Sequence, residues 1–83
     1  MQNRLPEVKL GVYRHYKGKR YRVIGVGTET ETREVYVVYK HLYDTPGYDE
    51  NALWLRPYEM FTEKVTVDGK RIPRFEYIGE KDE

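Results

Sequence analysis

Cationic side chains and aromatic rings come together at three places in this sequence: Arg14, His15, Tyr16 and Lys17; Trp54 and Arg56; and Arg74 beside Phe75. That mixture suits a phosphorylated base. Guanidinium groups bond two phosphate oxygens at once, an ammonium adds a point charge, and a flat ring stacks on a base of any identity. The candidate ligand-binding residues are therefore Arg14, His15, Tyr16, Lys17, Trp54, Arg56 and Arg74, with a nucleotide or single-stranded RNA as the partner. The same residues also fit a purely structural set. Trp54 is large enough to be the central core residue of so small a domain, and Arg56 and Arg74 could pair with Glu31 or Glu59 to hold loops.

Catalysis has fewer means. The chain has neither Ser nor Cys, so a nucleophile would have to be Thr, Asp, Glu, Lys or Tyr beside a base. His15 and His41 titrate near neutrality, but spacing gives neither an orienting partner. If the protein is an enzyme acting on a nucleotide or modified base, Glu31 and His15 are the acid/base candidates. Glu29, Glu31 and Glu34 otherwise read as a solvated hairpin loop. Two histidines far apart and scattered carboxylates form no metal-ligand set, and no cofactor is implied. Gly25 and Gly27 lack the third Gly and the helix of a dinucleotide fingerprint, so they read as a bulge or bend.

These residues must be held by a thin core. A chain of 83 residues buries only about 60–65% of its unfolded surface. Its nine Tyr, two Phe and one Trp supply most of the bulk, each burying apolar area while its polar tip stays wet. The formal charge of +1 gives no chain-wide field toward nucleic acid or anionic lipid, so any basic site is local. The absence of cysteine fits a reducing compartment, and no apolar run approaches the roughly 18 residues of a membrane span. With no signal-peptide pattern at the N-terminus, the expectation is a cytoplasmic domain without a membrane partner.

Strand patterns dominate. Gly11 to Tyr16 and Arg20 to Gly27 flank the turn Lys17-Gly18-Lys19. Glu34 to Tyr43 predicts a long central strand, Ala52 to Leu55 a short one, and Lys64 to Val67 with Lys70 to Ile72 bracket Asp68-Gly69, the dipeptide suited to a type I′ turn. Residues 43–51 form a turn-rich loop, and Pro57 to Phe61 predict a single helical turn. One mostly-β domain spans residues 10–78, with flexible extensions at 1–9 and 79–83. Its expected fold is a small, bent antiparallel barrel or roll of SH3-like type.

The blocks Gly11-Val-Tyr-Arg-His-Tyr-Lys-Gly18, Val37-Val-Tyr39, Leu42-Tyr43, Leu53-Trp-Leu-Arg-Pro57, Met60-Phe61, Asp68-Gly69 and Pro73-Arg-Phe75 resemble, in register from Gly11 to Ile78, the bacterial domain-of-unknown-function family 1653. The resemblance brings no established activity. It implies a small stand-alone bacterial domain, and the joining of some members to nucleotide-processing domains leans toward a nucleotide or RNA context. Where the family reads His-Ser-Glu-Thr, this chain reads Glu29-Thr-Glu-Thr32, so a mechanism built on that histidine has no counterpart here. The leading expectation is a non-catalytic module binding an anionic ligand such as a nucleotide or single-stranded RNA. Its rivals are the small enzyme using Glu31 and His15, and a protein-interaction domain or homodimer using the Tyr-rich face or a free strand edge.

Overall fold

The computed structural model describes residues 6–81. In chain order these form β1 (Gly11–His15), β2 (Arg20–Thr28), β3 (Val35–His41), β4 (Leu53–Pro57), the helical turn α1 (Tyr58–Phe61), β5 (Lys64–Val67), β6 (Lys70–Pro73) and β7 (Phe75–Gly79). Five strands make one antiparallel sheet in the order β4-β3-β2-β1-β7, while β5 and β6 pair only with each other. The mostly-β prediction with one helical turn is what the chain adopts.

Turn chemistry explains the hairpins. Asp68 and Gly69 both take positive φ, 51° and 79°, the pair of angles a type I′ turn needs to match the twist of its flanking strands. At the β1–β2 turn, His15 N–H donates to Lys19 O and Gly18 N–H to His15 O, both at 2.7 Å. The predicted bend near Gly25 is present as a bulge between Val23 and Gly25, where the β2–β3 register shifts.

The strands do not close into a barrel among the described residues: β4 and β7 are both edges. The reason lies between β6 and β7. Pro73 has no N–H to continue a ladder, and Arg74 spends its N–H on Glu63 O at 3.0 Å and its carbonyl on Tyr16 N–H at 2.9 Å. The chain turns there, and β7 pairs with β1 instead of extending the ribbon.

One face of the sheet carries the main core cluster, in which Tyr13, Val23, Val37, Tyr39 and Phe75 meet Phe61 of α1; Val12, also fully buried, lies outside that cluster. Alternation decides membership, since Val37 and Tyr39 face inward with Trp54 and Arg56 opposite them on β4, while the intervening Val38, Lys40, Leu53 and Leu55 face outward. The core is aromatic, as the composition requires. Phe61 stacks on Phe75 at 4.4 Å and 9°, and Tyr13, Tyr21 and Tyr39 meet these rings edge-on or tilted. Before β1, Val8 packs on the core and Lys9 O accepts the Tyr13 hydroxyl at 2.8 Å. In the expected C-terminal extension Gly79 still belongs to β7, opposite Val12, and Glu80 O accepts from Arg22 at 3.0 Å; residues 1–5 and 82–83 lie outside the described residues.

Candidate anion-binding corner

The seven residues picked from the sequence do not form one patch. Arg14 and Glu76 are register partners whose side chains make an exposed ion pair of 2.9 Å on the outer face, and Tyr16 lies with them against Ile72 and Pro73. His15, Trp54 and Arg56 belong to the core side. Successive strand residues point to opposite faces, so Arg14 cannot share a site with His15.

On the core side, one corner is strongly cationic. Arg56 lies over the Phe75 ring at 5.3 Å, and its Nε donates to the Tyr39 hydroxyl at 3.3 Å. It has no carboxylate partner among the described residues, so the expected pairing with Glu31 or Glu59 is absent. Arg74 is tethered instead by Glu63, with Nη2 at 2.7 Å from Oε1, while its Nε is buried without a hydrogen-bond partner among the described residues. His15 pairs with Phe75 across the β1–β7 ladder, its ring 4.9 Å from that of Phe75 and 4.6 Å from that of Tyr16. Its Nδ1 accepts the Lys17 backbone N–H at 3.1 Å. Burial, then the charges of Arg56, Arg74 and Lys17, hold the imidazole below its ordinary pKa. The corner therefore gathers three cations, of which only Arg74 is paired with a carboxylate among the described residues, around an imidazole whose charged form is disfavoured first by burial and then by their field.

Next to it, Trp54 is half-buried and braces the loop that follows β3. Its indole N–H donates to His41 Nδ1 at 2.7 Å, and Tyr48 lies on it at 4.8 Å. His41, 6% exposed, is thus a satisfied interior residue on its Nδ1 side. Tyr21 joins the two regions. Its ring is 5.7 Å from Phe75 and 5.5 Å from Tyr43, and its hydroxyl shares a 2.8 Å hydrogen bond with that of Tyr43. Burial first, and that bond second, push the Tyr21 phenol far above its ordinary pKa.

Glu31 is elsewhere. It sits in the β2–β3 turn, where Glu29 accepts the backbone N–H groups of Glu31 and Thr32; the Thr32 bond is the main reason the Glu29 carboxyl lies below its usual range. His15 is at the opposite end of β2, whose nine residues extend about 30 Å. Glu31 and His15 therefore cannot act on one bond. No group of three metal-ligating side chains occurs among the described residues, and no helix there is long and apolar enough to cross a membrane.

The family model described as "Protein of unknown function (DUF1653)" matches residues 11–77. The chain belongs to the DUF1653 family. A crystal structure of a DUF1653 protein from Bordetella bronchiseptica is 36% identical, with 93% of this chain and 95% of that chain covered and a TM-score of 0.82. Nothing among curated proteins matches. Three of the seven family blocks seen in the sequence fall on β1 and its turn, on β4 and at the start of β7, which build the corner in this DUF1653 domain, and the others fall on β3 and the residues after it, on α1 and at the β5–β6 turn.

Proposed function

We propose that this domain is a non-catalytic binding module for an anionic, base-bearing ligand such as a nucleotide or a single RNA strand, and that Arg56, Arg74, His15 and Lys17 receive its phosphate. Arg56 carries the reading. A guanidinium fixed over a ring by one hydrogen bond to a phenol, with no carboxylate beside it, leaves most of its five donors for a ligand. Arg74, one nitrogen of which is held by Glu63, adds a second permanent positive charge acting on His15.

The test is an arginine side-chain NMR titration of the whole chain with nucleotides and short mixed-sequence RNA at low salt. The Nε resonances of Arg56 and Arg74 are expected to shift. Arg56→Gln should lower affinity about tenfold to a hundredfold, the worth of charge-assisted hydrogen bonds, and binding should weaken as salt is raised. Arg14→Gln, on the other face, is the control and should bind as the parent does. Equal losses in the two variants would sink the assignment.

A pH dependence follows from His15. Its folded pKa lies below the ordinary value of about 6.5, so its contribution to stability is complete above about pH 6.5 and is lost as pH falls through the folded value. A bound anion reverses that balance by stabilising the imidazolium. Affinity for inorganic sulfate, whose own charge is constant in this range, should rise as pH is lowered from about 8 to about 6. His15→Gln should flatten that profile, and an unchanged slope in this variant would place His15 outside the site.

A further inference from the structure

Beyond the corner, the loop between β3 and β4 encloses a cleft of about 480 Å³ lined by Lys40, His41, Tyr43, Asp44, Tyr48 and Glu50. Its volume is within the range that holds a small ligand. The wall offers two rings and both kinds of hydrogen-bonding group. Tyr48 is 58% exposed on one side and backed by Trp54 on the other at 4.8 Å, so it presents a braced, open face. Trp54 can only donate, so its 2.7 Å bond to His41 Nδ1 leaves that nitrogen without a proton. His41, more than nine-tenths buried, therefore carries its hydrogen on Nε2, which has no partner among the described residues. The Asp44 and Glu50 carboxylates are likewise unpaired there, while Lys40 is held to Asn51 Oδ1 at 3.1 Å. The cleft is close to the corner: Tyr21 links Phe75, beneath Arg56, to Tyr43 by ring contacts of 5.7 Å and 5.5 Å.

We propose that this cleft is the base pocket of the ligand whose phosphate the corner receives, and that the base is guanine; this rests on the anion-binding reading above. Guanine shows two adjacent donors, N1–H and the 2-amino group, which match the two oxygens of one carboxylate. Its neighbouring O6 accepts from the His41 Nε2–H or the Lys40 ammonium, and its ring stacks on Tyr48. Adenine and cytosine bring one amino donor beside a ring acceptor, and uracil one N–H between two acceptors, so each sets a lone pair against a carboxylate. Only a base with paired donors fills both oxygens of one acid while its adjacent acceptor meets the buried imidazole.

The experiment compares guanosine, inorganic phosphate, GMP, AMP, CMP and UMP on the labelled whole chain. Guanosine alone should move the Trp54 indole and the amides of Tyr43, Tyr48 and Asn51 while leaving Arg56 Nε unmoved, and phosphate alone should do the reverse. GMP should move both sets and bind at least about tenfold tighter than the other nucleotides. The exposed substitutions Asp44→Asn and Glu50→Gln together should erase that preference without changing the phosphate titration. If AMP and phosphate move Arg56 but guanosine leaves the cleft silent, the pocket is overturned and the corner stands. Equal cleft shifts from every base would overturn the guanine assignment. Silence at Arg56 with every probe would remove the anion reading, and this inference with it.

Discussion

Phe61→Ala should cost about 3–5 kcal/mol. Phe61 is 2% exposed, comes from the one helical turn, and fills the space above the sheet. It lies flat on Phe75 at 4.4 Å, edge-on to Tyr13 at 5.2 Å and tilted to Tyr39 at 5.9 Å. None of these neighbours can collapse into the vacated volume, because each is fixed by its strand. Against the total of about 4–12 kcal/mol expected for a chain of 83 residues, such a loss removes a quarter or more of the stability, and all of it at the low end. Urea unfolding followed by tyrosine fluorescence measures it, and a loss under about 1.5 kcal/mol would mean that the turn is not part of the core.

Gly11→Ala should be comparably damaging, on the order of 3 kcal/mol, for a different reason. Gly11 opens β1 at a φ of 140°, where a side chain is strained. A Cβ there would lie 2.7 Å from Gly79 O and 3.0 Å from Tyr77 Cε1. A backbone oxygen cannot swing aside as a lysine tip can. The damage should be local as well as global, with amide protection lost first where β1 meets β7, before the β2–β3 pairs. A variant as stable as the parent would show that the two strands separate at this end.

Much of the fold was legible because turn residues announce it. Asp68-Gly69 and Lys17-Gly18 each fixed a hairpin, and the alternation in residues 35–41 marked a strand buried on one face. What could not be read was pairing over distance. That β7 joins β1, some sixty residues away in sequence, is a result of packing, and it leaves the expected antiparallel barrel or roll as a sheet that does not close among the described residues. The site was legible in residue type more than in arrangement. Arg56, Arg74 and His15 come together in the fold, while alternation along β1 puts Arg14 on the other face from His15. The same test along β2 would have parted Glu31 from His15. The Trp54–His41 bond depends on the β3–β4 register, which no local pattern reveals, and with it the cleft beneath Tyr48 stayed hidden. Its one visible sign was the length of the loop at residues 43–51, which carries Tyr, Asp and Glu without any strand or helix of its own.

The sheet order also governs the sequence of events as the chain folds. β1, β2, β3 and β4 form a meander of neighbours, built from short-range closures that are fast to make. β1 lacks its second partner until residues 75–79 arrive, and Phe75 is the ring under both Phe61 and Arg56. The final strand thus completes the hydrophobic interior and the seat of the guanidinium in one step, so a nascent chain that has made only its meander has no platform for Arg56.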